Sequence, residues 1–124
     1  MVIMPLLESG ENYLEAILIL SNKQSEIHAI DIVNLLNFSK PSVSIMLKKL
    51  KDSGYISIDK NSHIQLTIQG KNVAEKIYER HTYLTDFLIK IGVDSSTAEE
   101  DACKIEHDLS DKSFQAIKQL IDKL

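Results

Sequence analysis

From Glu11 to Ser21 the chain reads ENYLEAILILS, and Tyr13, Leu14, Ile17, Leu18 and Leu20 recur at helical spacing. The pattern predicts a first helix, with Ser9, after Pro5, as its N-cap. Asn12 and Glu15, three residues apart, share one polar face of it. After a polar break at 22–25, Ala29 to Asn37 (AIDIVNLLN) carries Ile32, Val33, Leu35 and Leu36, the pattern of a short second helix. The next break, NFSKP, holds a start signal. Ser39 is a natural cap, and Pro41 suits a first turn, where its missing N–H is not needed. A third helix is therefore predicted from about Lys40 to Asp52, stopping at Ser53-Gly54. Val43, Met46, Leu47 and Leu50 form its apolar stripe, and Ser42, Ser44, Ile45, Lys48 and Lys49 are left towards solvent or a partner.

The period then drops from about 3.6 to 2. YISID, the polar turn KNSH and IQLT predict a β-hairpin. Thr67 caps a long helix expected from about Gln69 to Ile91, with Gly92 as its stop. Two further helices are expected at about 96–108 and 112–123, the second capped by Ser110 or Asp111. Two short helices joined by a turn of four to five residues, then a hairpin, make a winged helix-turn-helix. The expected fold is thus mainly α: a winged-helix domain over 1–72 with a two-stranded wing, then an all-helical domain over 73–124.

Composition limits the function classes. The 124 residues are 44% hydrophobic and 26% charged, enough for one compact core or two small sub-domains. No run approaches the roughly 18 apolar residues of a membrane span, and MVIMPLL is short and lacks the basic flank of a signal peptide, so a cytoplasmic location without membrane contact is expected. The net charge of -4 conceals a local field. From Ser39 to Lys71 there are six lysines against Asp52 and Asp59, a balance of +4, which leaves -8 for the rest of the chain. Because the lysines coincide with the third helix and the hairpin, double-stranded DNA is the expected partner, with the third helix in the major groove and the wing along the backbone. The candidate contacts are Ser39, Lys40, Pro41, Ser42, Ser44, Lys48, Lys49 and, at the wing tip, Lys60 with His63. Ile45 is apolar on this outward face. It is either a contact to a thymine methyl group or a sign that the helix phase is off by one residue.

The second constellation is Cys103, Glu106 and His107, at i, i+3 and i+4 of one expected helix, so that a thiolate, a carboxylate and an imidazole share a face. His81 lies midway along the long helix, and Asn12 and Glu15 offer oxygens from the first. Spacing alone leaves open that Cys103 packs the core and that Glu106-His107 is a solvated face. No Gly-rich loop, nucleophile motif or HExxH spacing accompanies these residues, so an enzyme is not expected. A winged-helix regulator sensing a small organic ligand or oxidation of Cys103, without metal, is the alternative.

ENYLEAI at 11–17, SKPSVSIMLKKLKDSGYI at 39–56, LTIQGKNVAEKIYERH at 66–81 and CKIEHDLS at 103–110 resemble the diphtheria toxin repressor and manganese transport regulator family of metal-dependent bacterial repressors, over nearly the whole chain. The resemblance implies that Glu106 and His107 are metal ligands, with His81 on the connecting helix, Cys103 three positions before Glu106, and Asn12 and Glu15 on the first helix. Manganese-type members resemble this chain at Glu15 and in ending after the helical dimerisation domain; iron-type members resemble it at Cys103. Asn12 departs from both, which have aspartate or methionine there. Thr85 stands where an iron-type member has an acidic ancillary ligand, and Glu99 and Glu100 are further candidates for an additional site.

Carboxylates with an amide oxygen favour Mn(II), whereas a thiolate with two imidazoles favours softer or borderline ions. The expected cofactor is Fe(II) or Mn(II), with a lean to Fe(II). The resemblance also implies a homodimer on a palindromic operator, repressing metal-uptake genes when metal is in excess. An ion bridging the two domains would fix the spacing of paired recognition helices.

Overall fold

The computed structural model describes residues 8–124, so Pro5 lies outside the described residues. Six helices and one two-stranded sheet follow in the order α1 (Glu8–Ser21), α2 (Ala29–Leu36), α3 (Lys40–Asp52), β1 (Ile56–Ile58), β2 (Ile64–Leu66), α4 (Ile68–Lys90), α5 (Ser95–Ile105) and α6 (Asp111–Asp122). The chain divides into two compact units that part between Glu75 and Lys76. The fold is mainly helical with a winged-helix first half, as the pattern predicts.

In the first unit the caps explain the boundaries. The main-chain N–H of His28 donates to Asp31 Oδ2 at 2.8 Å, fixing the entry of α2. Asn37 closes it in the left-handed region at φ 59°, its N–H returning to Val33 O. The connection to α3 is Asn37-Phe38-Ser39, three residues rather than the four to five expected, because Asn37 supplies the reversal in a single residue. Ser39 Oγ accepts from Ser42 N at 3.3 Å and donates to Ser42 Oγ at 2.8 Å, with Pro41 in the first turn. Ser9 is not a cap: α1 already runs from Glu8.

The hairpin is antiparallel, with Ile56 opposite Leu66, Ser57 opposite Gln65 and Ile58 opposite Ile64. Its inward residues Ile56 and Ile64 join Leu14, Ile17, Ile32, Val43 and Leu50 in the core of this unit. Each such side chain, fully buried, contributes roughly 1.5–3 kcal/mol. Thr67 caps α4, accepting from Gly70 N at 3.1 Å and donating to Gly54 O at 2.7 Å. Gly70 is required by space: a Cβ there would lie 1.9 Å from the carbonyl oxygen of Tyr55.

The second unit holds α4 from Lys76, then α5 and α6. Ile77, Leu84, Ala98, Ala102, Phe114 and Ile121 are buried in it. Phe114 of α6 meets the Tyr83 ring of α4 edge-on at 6.1 Å. Asp94 caps α5 through Thr97 N, Ser110 caps α6 through Ser113 N, and Gly92, at φ 107°, ends the chain's exit from α4. Helix α5 ends three residues earlier than the pattern predicts. Glu106 is its C-cap, and His107 and Asp108 lie in the following turn.

Candidate metal centre and nucleic-acid interface

Four of the six residues singled out as metal ligands lie in the second unit. His81 projects from α4, Cys103 from the last turn of α5, Glu106 from its C-cap and His107 from the turn beyond. Although Glu106 sits past the regular helix, it keeps φ -61° and ψ -24°. The i, i+3 relation to Cys103 therefore survives. Each of Cys103, Glu106 and His107 offers one ligand-type atom, and these lie within 4.8 Å of one another. His81 Nδ1 lies 2.9 Å from Glu106 Oε2. The carboxylate of Glu106 is 0% exposed and the His107 side chain 2%.

What this cluster lacks tests its fit to a cation. Glu106 Oε1 is buried and accepts no hydrogen bond; His107 Nε2 stands 3.4 Å away, close enough for charge attraction but without hydrogen-bond geometry. A buried acceptor left without a donor costs on the order of 1–3 kcal/mol. A divalent ion held by thiolate, carboxylate and imidazole removes that cost, and these donor types are those of borderline transition metals. The residues fit. Half-buried Cys103 and His81 also line a depression of about 480 Å³ shared with Glu99, Glu100 and Lys104, which opens the cluster to solvent. Glu99 and Glu100 are exposed there and join no further ligand cluster among the described residues.

Asn12 and Glu15 stand on α1 in the first unit, Asn12 half-buried and Glu15 buried.

A residue that the sequence reading passed over organises the turn carrying Glu106 and His107. Arg80 is 4% exposed. Its Nη1 donates to the carbonyl oxygens of Glu106 and Leu109, its Nη2 donates to Asp111 Oδ1, and its guanidinium carbon lies 5.2 Å from the centre of the Phe114 ring. The Asp111 carboxylate also takes Lys76 Nζ at 2.7 Å; this hydrogen bond and the Lys76 charge, with Arg80 adding to them, hold it below the usual carboxylate range. A signal existed: Arg80 follows Ile77 by three residues and precedes Leu84 by four, so a charge stands in the apolar phase of α4.

On α3, Val43, Leu47 and Leu50 are buried, so the expected helix phase is right. Ser39, Lys40, Pro41, Ser42, Ser44, Lys48 and Lys49 are all exposed on its outer side, as is Lys60 on the wing. His63 is not presented at the wing tip. Its side chain is 17% exposed, with Nδ1 3.7 Å from Asp59 Oδ2 and the ring 6.3 Å from that of His28. The wing turn itself is tied by Asp59 Oδ1, which accepts from the N–H groups of Asn61 and His63 at 2.9 Å each.

A helix-turn-helix with a wing and an outward basic face defines a winged-helix DNA-binding regulator. Residues 5–64 match the iron-dependent repressor N-terminal DNA-binding domain, and residues 67–124 match the iron-dependent repressor metal-binding and dimerisation domain. The chain belongs to this family of metal-dependent transcriptional repressors. It is 36% identical over 118 residues, 94% of each chain, to an uncharacterised HTH-type transcriptional regulator of Methanocaldococcus jannaschii. Among solved structures it is similar to the manganese regulator SloR (TM-score 0.83, 28% identity) and to ScaR with bound Zn2+ (TM-score 0.76, 29% identity), covering 91% of this chain in each case. It spans about half the length of those two proteins, 53% of each. Among the described residues no helix is long and apolar enough to cross a membrane.

Proposed function

We propose that the protein is a homodimeric repressor whose affinity for a palindromic operator rises when Fe(II) or Mn(II) is held by His81, Cys103, Glu106 and His107, and that its operators control metal uptake. The observation that carries the reading is the buried Glu106 carboxylate, one oxygen against His81 and the other close to His107 but accepting no hydrogen bond. The family resemblance adds Asn12 and Glu15 as oxygen donors. Cys103 and two imidazoles favour Fe(II) over Mn(II). When bound, the ion supplies a positive charge that three or more side chains must converge on. Occupancy then selects the conformation competent for DNA, and by reciprocity DNA tightens metal binding by the same factor.

The test is fluorescence anisotropy of duplexes enriched from a randomised library, run anaerobically with Fe(II), with Mn(II) and with chelator. The wild type is expected to bind at least tenfold more tightly with metal. Glu106→Gln and His107→Ala are expected to keep their circular dichroism and lose that stimulation, and Glu15→Gln to lower metal affinity. A full metal response in Glu106→Gln and His107→Ala removes the site; wild-type binding that persists in chelator and is lost only on peroxide treatment replaces the metal with the Cys103 thiol.

A further inference from the structure

The outward face of α3 is not uniformly polar. At 3.6 residues per turn, Ile45 projects roughly 170° away from the mean direction of Val43, Leu47 and Leu50. It stands at the crest of the exposed face, 59% accessible. Ser42 and Lys49 lie one turn to either side of it on the same stripe, Lys48 flanks that stripe, and Lys51 and Lys40 lie further round the helix on the Lys48 side, all exposed. A second apolar group adjoins. Phe38, 45% exposed, precedes the Ser39 cap and tilts against Tyr13 at a ring separation of 5.9 Å. Together Ser9, Tyr13, Phe38, Ser42, Ile45 and Met46 line a shallow, largely apolar depression of about 380 Å³.

An isoleucine at the crest of a helix that carries Lys40, Lys48, Lys49 and Lys51, with no acidic residue before Asp52, points to an occupant that is anionic around an apolar centre. The major groove of B-DNA has that character at one base only. Every pair offers hydrogen-bonding edges, but thymine alone adds a methyl group. Against any other edge Ile45 would strip water from donors and acceptors and return nothing to them. We propose, on the basis of the DNA-binding reading above, that Ile45 reads a thymine methyl group, so that this repressor specifies one operator position per half-site by an apolar contact rather than by hydrogen bonding.

Uracil lacks only that methyl group, which makes it the probe. The Mn(II)-loaded full chain is used to enrich a duplex from a randomised library, each thymidine of that duplex is replaced in turn by deoxyuridine, and Kd is measured by anisotropy for the wild type and for Ile45→Ser. One replacement in each half-site is expected to weaken wild-type binding about fourfold, the worth of one buried methyl-sized group. Ile45→Ser, a change at an exposed position, is expected to bind the thymine duplex as weakly as the wild type binds a duplex carrying that uracil in both half-sites, and to be indifferent to the replacement. Uracil indifference in the wild type, or uracil sensitivity retained in Ile45→Ser, overturns the inference while leaving the DNA-binding reading intact. An Ile45→Ser protein that binds both duplexes like the wild type but no longer self-associates in sedimentation assigns the face to a second copy of the chain instead. If no duplex is enriched, the DNA-binding reading and this inference fall together.

Discussion

Arg80 Nη1 donates a 3.0 Å hydrogen bond to the main-chain oxygen of Glu106, 26 residues further along the chain. With its bonds to Leu109 O and Asp111, this buried guanidinium holds the turn that presents Glu106 and His107. Lysine offers a compact charge without the planar fork and cannot serve three acceptors in this geometry. Arg80→Lys is expected to weaken metal binding about tenfold, the usual scale for groups that orient ligands rather than ligate. Isothermal titration with Mn(II) checks it, and unchanged affinity would show that the turn holds without the fork.

Cys103 is the softest donor of the cluster. Cys103→Ser exchanges a thiolate for a hydroxyl, and is expected to lower Co(II) and Fe(II) affinity at least tenfold while changing Mn(II) affinity little. Co(II) spectroscopy reads it directly: the near-ultraviolet band of a sulfur-to-cobalt transition is expected in the wild type and absent in the variant.

Gly70 sets two effects against each other. Helix propensity favours alanine by about 1 kcal/mol. The added Cβ would sit 1.9 Å from Tyr55 O, a backbone atom that cannot rotate away. Overpacking of this kind costs about 1–3 kcal/mol or more, so the clash wins. Gly70→Ala is expected to lower the urea midpoint with little change in slope; a raised midpoint would mean that the α4 start shifts freely.

Asp111 gives a pH dependence of known sign. The Lys76 hydrogen bond and charge, and then Arg80, lower its folded pKa from the ordinary 3.8. Its contribution to stability is therefore present above the unfolded carboxylate pKa and is lost as pH falls through the folded one. Asp111→Asn is expected to flatten the acid limb of the stability–pH curve measured by urea denaturation.

Lys48 is exposed on the outward face of α3. If it neutralises one phosphate, Lys48→Ala lowers the slope of log Kd against log salt by about one. An equal slope in the two proteins would place Lys48 outside the contact.

The first half of the chain was legible because its boundaries are local. Ser39, Pro41, Gly54 and Thr67 announce starts and stops within a few residues, and the change of period marks the hairpin. The end of α5 was not legible. Polar residues continue at helical spacing through Asp108, and what ends the helix at Ile105 is accompanied by Arg80, far off in sequence. His63 was misplaced for a similar reason: a histidine in a polar turn reads as a tip residue until Asp59 and His28 are seen to flank it. Ile45 was readable as an anomaly but not as a choice between causes, since only the burial of Val43, Leu47 and Leu50 fixes the phase of the helix.

The tie across the wing turn has a consequence for how fast and how tightly the protein can settle on a duplex. Asp59 holds the N–H groups of Asn61 and His63, and Ser62 occupies the left-handed region at φ 63°, so the loop that carries Lys60 already has a defined path. Ordering such a loop on contact would cost about 1–2 kcal/mol for each residue fixed. Here that loss of freedom is incurred when the chain folds. Should Lys60 meet a phosphate, a carboxylate that repels phosphate by its charge would aid the encounter by its hydrogen bonds, with the Lys60 side chain still to be immobilised.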